Sequence, residues 1–256
     1  GGDTIDISDL FTQTTSYKIP IIEYTDATPR QIHEVFKLYN KQGKHLNAEE
    51  IRNAVYHDLR LMRALAVASG DNQDLVGSAS FLVPIAAEVA AIAVNLEEYR
   101  IGDTRYRRTK VLSWLVSVLA SNCSTSEGTP RLLSTAGQIN ALLDRVQESP
   151  NDPLRNDTTI CRLLVMVSTA MQAHAEADAW APKFRDNNNG VRWQELQLVA
   201  SLLGVAIATA VKGPEISNLL IAREGALMHA SRSSEWKRPQ KTQTKRQWEY
   251  IAVIVL

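Results

Sequence analysis

The sequence predicts a mainly α-helical, single-domain fold with a short N-terminal β strand or hairpin, and three observations support this. Apolar residues recur at three- and four-residue intervals from Thr28 onward. Helix caps punctuate that pattern, and the polar loops between the periodic runs are short. β character is confined to residues 1–27. The chain of 256 residues carries 28 Lys+Arg against 28 Asp+Glu, and is 45% hydrophobic and 22% charged. These values exclude a disordered chain, a collagen-like chain and a disulfide scaffold. Zero net charge excludes a protein that holds DNA by bulk attraction.

Tyr17 to Tyr24 reads YKIPIIEY, rich in β-branched and aromatic residues, with Pro20 placing it at a sheet edge or strand start. One strand makes no sheet, so it pairs with Thr4 to Ile7 or with residues upstream. Residues 1–27 therefore read as a short β/linker segment completing an upstream lobe, and 28–256 as the helical domain. Thr28-Pro29 is a cap followed by proline at the first helical position. Ile32, Val35, Phe36 and Tyr39 then share one face. Gly43 sits in the turn. Asn47 caps the next helix with Glu50 three residues on, and that helix runs to about Ala68. Further helices are expected near 74–98, 107–121, 130–148, 157–178, 191–211, 215–230 and 243–255. The apolar stretches 75–94 and 198–211 read as buried core helices rather than membrane spans, the first being interrupted by Gly77, Pro84 and Glu88. The Gly-Gly-Asp start and the end inside a periodic run suggest a piece of a longer chain.

His33 to Tyr56 reads HEVFKLYNKQGKHLNAEEIRNAVY: helix, tight turn, capped helix. Caps and turns explain most of these residues without a ligand. The pattern F-x-x-x-N-x-x-G-x-x-L-x-x-x-E-x-R-N, on Phe36, Asn40, Gly43, Leu46, Glu50, Arg52 and Asn53, resembles the signature in the second half of the ParB/sulfiredoxin-like domain of GmrSD-type restriction proteins. The resemblance covers roughly residues 17–60. It implies a nucleotide-binding or nucleotide-hydrolysing module in antiviral defence, using an NTP with Mg in the complete protein and working with an HNH-type nuclease half. The family's Asp-Gly-Gln-type motif is absent: no Asp-Gly dipeptide occurs in the chain. The resemblance thus implies the helical part of a sensor whose catalytic lobe lies upstream. It also implies that Asn40, Gly43, Glu50, Arg52 and Asn53 support a nucleotide site, with Arg52 reaching a phosphate.

Two basic clusters are candidates for nucleic-acid or phosphate contact. One is Arg105, Arg107, Arg108 and Lys110. The other is Lys237, Arg238, Lys241, Lys245 and Arg246, interleaved with Thr and Gln and following Trp236. The bland alternative for both is a solvated charge run. No metal site is expected: the five histidines form no ligand spacing, and His174, Glu176 and Asp178 do not share a helix face. His57-Asp58 reads as surface or capping. The adjacent carboxylates Glu49-Glu50 and Glu97-Glu98 read as solvated faces. Trp114, Trp193 and Trp248 are expected in the core, with Trp180 and Trp236 nearer the loops. Two isolated thiols, Cys123 and Cys161, suit a reducing cytoplasm. The competing reading is a non-enzymatic helical scaffold or protein-interaction module. DNA is a candidate partner, a membrane is not, and self-association into a homo-oligomer stays open.

Overall fold

The computed structural model describes residues 25–28, 31–32, 34–35, 46–102, 104–122, 136–185 and 191–237. The described part is mainly helical, and the β pairing among the described residues is one isolated antiparallel bridge between Arg185 and Trp193. The expected strand at 17–24 and helix at 243–255 lie outside the described residues, as do Asn40, Gly43, Arg238, Lys241, Lys245 and Arg246.

Nine α-helices can be numbered in chain order among the described residues: α1 Ala48–Val55, α2 Arg60–Ala68, α3 Ala86–Glu98, α4 Arg107–Asn122, α5 Ala136–Glu148, α6 Asp157–Ala177, α7 Glu195–Lys212, α8 Ile216–Ala222 and α9 Glu224–Ser231. The caps at Thr28 and Asn47 fall where the sequence places them. Thr28 and Gln31 bond reciprocally, through Thr28 N–H to Gln31 Oε1 at 2.8 Å and Gln31 N–H to Thr28 Oγ1 at 3.3 Å. Asn47 and Glu50 form a complete capping box at α1. Asn156 Oδ1 accepts from Thr158 and Thr159 to start α6. The first turn of α4 borrows its cap from elsewhere: Asp71 Oδ2 accepts the Thr109 N–H at 2.7 Å and its hydroxyl at 2.9 Å. A carboxylate there also faces the positive end of the helix dipole.

Helix α6 is the axis of the body. Ile160, Leu163, Leu164, Val167, Ala170, Met171, His174 and Ala177 are buried along it at three- and four-residue intervals. It packs against α7, α3, α8, α4 and α2. Helix α7 is buried almost all round from Leu196 to Ala206, as expected for a central helix with no polar face.

Several expected helices are broken. The single helix expected from Asn47 to Ala68 is two, because α1 ends at Tyr56 and Leu59 has extended backbone before α2. The helix expected over 215–230 is divided at Arg223. The stretch expected as a helix over 74–98 begins as a 3-10 segment, Gln73–Ile85, kinked at Ala79, before α3. Pro84 lacks a donor and crowds the preceding turn, so the α-helical ladder cannot run through it. That stretch also corrects the expectation of a buried core helix. Val76–Glu98 and Glu195–Ala222 are both long and apolar enough to cross a membrane by length and composition, yet 61% of the second window is buried and only 28% of the first.

Candidate functional site

Helix α1 carries the motif residues on two faces, because neighbours on an α-helix point about 100° apart. Glu49 and Arg52 face inward and Glu50 outward. Glu49 is 1% exposed and Arg52 2%. Their side chains form a direct ion pair one turn apart. Arg52 Nε donates to Asn140 Oδ1 on α5 at 2.8 Å, and Ser113 Oγ on α4 donates to Glu49 Oε1 at 2.9 Å. One turn further on, Tyr56 donates to Asp144 Oδ1 at 2.7 Å. Burial pushes the Glu49 carboxyl above its ordinary range, opposed by Arg52 and by the Ser113 hydrogen bond. Burial together with the Asp144 carboxylate pushes the Tyr56 phenol up. This network ties α1 to α4 and α5 through groups that leave water only because each has a partner. Glu49 is therefore a correction to the expected solvated face. Its adjacency to Glu50 shows that the two diverge, but not which one meets the core.

Glu50 sits on the other face and holds two groups. It closes the capping box by accepting the Asn47 N–H at 2.6 Å, and it receives Arg105 from Nη2 at 2.8 Å and from Nε at 3.1 and 3.2 Å. Asn47 reciprocates, its Nδ2 donating to the Arg105 carbonyl at 2.9 Å. Arg105 and Tyr106 both have left-handed backbone, with φ of 60° and 56°. Two non-glycine residues in that region cost about 1–2 kcal/mol each, and the double grip on Arg105 holds them there. Asn53 Nδ2 donates to the Glu49 carbonyl at 3.0 Å, within its own helix.

The rest of the first basic cluster is also engaged. Arg107 lies 3.9 Å from Glu195 on α7, and Lys110 forms a direct ion pair with the same carboxylate. Lys110 also lies 6.0 Å from the Trp114 ring centre. Arg108 Nε donates to the Ile101 carbonyl at 3.0 Å. The structure thus brings Glu50 of the motif together with Arg105 of the cluster, while Arg107 and Lys110 of the same cluster reach α7 at Glu195. Lys237 is exposed in the turn after α9, where its N–H donates to the Ser234 carbonyl at 3.1 Å.

A second buried constellation was not singled out from the sequence. His174 Nε2 lies 2.8 Å from Ser201 Oγ, and its Nδ1 lies 3.0 Å from the Tyr99 hydroxyl. Its ring stacks on Trp180 at 5.1 Å and meets Trp193 at 4.9 Å. Trp180 in turn stacks on Phe184 and Trp236, so the two loop-proximal tryptophans join the aromatic cluster. Two proton arrangements satisfy the chain. Ser201 donates to Nε2 while Nδ1–H donates to Tyr99, whose proton goes to the Met171 carbonyl. Alternatively Tyr99 donates to Nδ1, Nε2–H donates to Ser201, and Ser201 donates to the Gln197 carbonyl. Burial, aided by Arg185, holds His174 down to about 3. A Ser–His contact can prepare a nucleophile, but His174 is 1% exposed and Ser201 fully enclosed. No substrate carbon can reach that hydroxyl, and the geometry describes a satisfied core histidine. The sequence signal was available in one histidine on the apolar face of α6, followed closely by Trp180, Phe184 and Trp193.

His57 and Asp58 are exposed and 3.3 Å apart. No cluster of three His, Cys, Asp or Glu side chains suited to a metal occurs among the described residues. Comparison of the chain with protein-family models, with curated proteins and with solved structures finds no match in any of the three.

Proposed function

We propose that this chain is a non-enzymatic helical platform, in which Asn47, Glu50 and Arg105 form a joint that fixes the segment before α1 against the body. The observation that carries this reading is the reciprocal grip between the α1 capping box and the Thr104–Tyr106 turn. The capping box alone would stabilise one helix end. Coupled to a left-handed turn leading into α4, it also sets the direction from which the chain arrives. A lobe attached upstream would inherit that orientation. The described polar groups of the motif, Glu50, Arg52 and Asn53, are engaged within the protein, as a support requires.

Spin labels at Gln31→Cys and Glu176→Cys, with Cys123 and Cys161 replaced by Ser, test the joint by pulsed electron resonance. The expected distance distribution is narrow and broadens when Arg105→Ala and Asn47→Ala are combined. Equal widths would refute the platform reading.

A second reading has its own observation, the resemblance of Phe36 to Asn53 to the GmrSD-type signature. In that reading the chain is the helical part of a nucleotide-sensing module in antiviral restriction. Asn40, Gly43, Glu50, Arg52 and Asn53 then support an NTP–Mg site completed by an upstream lobe, an HNH-type half cuts the DNA, and the basic residues at 105–110 and 237–246 meet phosphates. Calorimetric titration with ATP or GTP in the presence of Mg, and with duplex DNA, separates the two. Saturable heat abolished by Arg52→Met in a folded protein supports the sensor, and its absence supports the platform.

A further inference from the structure

Three segments meet beyond the C-terminal end of α6. The first, 181–185, follows Trp180. The second, 191–194, joins it at the Arg185–Trp193 bridge. The third, 231–237, is the end of α9 and the turn after it. Hydrogen bonds hold them together. Gln194 N–H donates to the Phe184 carbonyl at 2.9 Å, Ala181 N–H to Ser231 Oγ at 2.9 Å, and Lys183 Nζ to the Ser233 carbonyl at 2.8 Å. Positive charge gathers at this corner. The three segments carry five cations, Lys183, Arg185, Arg192, Arg232 and Lys237, against one acid, Glu235, in a chain of zero net charge. Arg185 is half-buried, pairs with Asp178 and lies 5.5 Å from the Trp193 ring centre. The other four are exposed. Among the described residues Arg192, Arg232 and Lys237 form no ion pair. The cluster at 105–110 differs, because Glu50 and Glu195 take up Arg105, Arg107 and Lys110. Of the five, Lys237 alone belongs to a basic cluster along the sequence, and the fold brings the others to it.

We propose that this corner binds the phosphodiester backbone of a nucleic acid. Cations held together without counter-charges repel one another, and a polyanion removes that repulsion while releasing its own counterions. Three of the five are arginines, whose planar forks match phosphate oxygens two at a time. Lys183 uses one donor on Ser233 and keeps two for a ligand. The cations come from three segments and so spread over a surface, which suits a chain of phosphates rather than one small anion. An anionic bilayer fits less well. Among the described residues of these segments, Val191 is the one large apolar side chain that is exposed, and anchoring in lipid needs a broad apolar face. The inference uses none of the joint residues and no nucleotide site, and it shares only Lys237 with the sensor reading.

Fluorescence anisotropy of the full chain with a labelled oligothymidylate and with a labelled duplex, each across a salt titration, tests it. Saturable, salt-sensitive binding of at least one is expected, and the tighter of the two names the form of the strand. Arg192→Gln, Arg232→Gln and Lys237→Gln together should weaken that binding about tenfold or more. They should also reduce the slope of log affinity against log salt by about 2, the counterions of three phosphate contacts. All three side chains are exposed, so the variant keeps its core, and an unchanged circular dichroism spectrum verifies this. Arg155→Gln with Arg162→Gln provides the control. Both arginines are exposed at the opposite end of α6, a helix about 30 Å long, and their loss should leave affinity and slope unchanged. Absence of binding to both oligonucleotides would overturn the proposal. So would a triple variant that binds as the parent does, or a control that falls as far, which would reduce the effect to bulk charge. Tighter binding to vesicles of equal parts phosphatidylserine and phosphatidylcholine than to either oligonucleotide would also overturn it and assign the corner to a membrane surface.

Discussion

Replacing Arg52 by Met keeps most of the side-chain volume and removes only the charge and its donors. The consequence is set by what remains. Glu49 is 1% exposed, its nearest cation is gone, and one neutral donor, the Ser113 hydroxyl, still reaches it at 2.9 Å. Breaking a buried pair by removing one partner costs about 3–5 kcal/mol, because the other charge is left in a medium that cannot solvate it. Against the 5–15 kcal/mol that holds a typical domain together, such a loss is a large fraction of the whole. With a urea dependence of about 3 kcal/mol per molar, it lowers the unfolding midpoint by about 1 M or more. Tryptophan fluorescence and circular dichroism followed against urea report it, since Trp114, Trp180 and Trp193 are all buried. The cycle completed by Glu49→Leu and by Glu49→Leu with Arg52→Met isolates the pair. The double variant strands no charge, so it should lose less than Arg52→Met alone, with a coupling of about 2 kcal/mol. A loss below about 1 kcal/mol for Arg52→Met, or strict additivity around the cycle, would refute the assignment of Glu49–Arg52 as a buried ion pair that ties α1 to the body.

Tyr56→Phe deletes the hydroxyl that donates to Asp144 and should cost about 2 kcal/mol in the same assay, as hydrogen bonds to charged acceptors do; a change within error would remove that bond from the network. Asn47→Ala should cost about 1 kcal/mol as a lost helix cap. It should also release the Arg105 carbonyl, visible as faster amide exchange through 104–110; a stability loss with unchanged exchange would separate the cap from the turn. His174 gives a pH signature, because burial holds it down to about 3 against an ordinary 6.5. Between those values the unfolded chain takes up a proton that the native protein refuses. Stability is therefore full above pH 6.5 and falls as pH drops through that window, by up to about tenfold in the folding equilibrium per pH unit. Urea midpoints at pH 7 and pH 5 should show His174→Phe flattening the slope by one proton, and an unchanged slope would place the histidine in contact with water.

Local signals specify structure where local chemistry decides the outcome. Thr28, Asn47 and the start of α6 are caps whose side chains bond backbone donors two or three residues away, so sequence neighbours alone specify them. The helical body followed from apolar periodicity for the same reason. Breaks inside periodic runs were harder to read. Neither Arg223 nor the Tyr56–Leu59 turn carries glycine or proline, so neither break has a local mark; at the second, Tyr56 and Leu59 are buried in the core, a tertiary cause. The 75–94 stretch reads as core in the sequence and is largely uncovered in the structure, because composition reports hydrophobicity and not which neighbours are available to cover it. At the candidate joint the residues were legible and their partners were not. Glu50 and Arg105 are 55 positions apart, and nothing in either segment announces the other.

The motif on α1 does two separable jobs because of helix geometry. Residues three apart, Glu49 and Arg52, return to the same side and meet α4 and α5. Glu50, about 100° round from Glu49, meets Arg105 outside the core. The inward pair is shielded from water, so its loss appears as stability and responds weakly to salt. Glu50 is 18% exposed and Arg105 47%, so their mutual attraction is screened and contributes about 1 kcal/mol or less to folding. In the platform reading its effect is directional, since it ties Asn47 and Glu50 to the left-handed turn at Arg105 and Tyr106. Substitutions on the two faces should therefore fail differently. Arg52 variants should unfold early with the joint intact in whatever remains native. Arg105 variants should keep a near-normal urea midpoint while the distance from Gln31 to the body broadens. If Arg105→Ala instead lowered the midpoint as far as Arg52→Met, the two faces would form one energetic unit, and α1 would be a structural element with no separate orienting role.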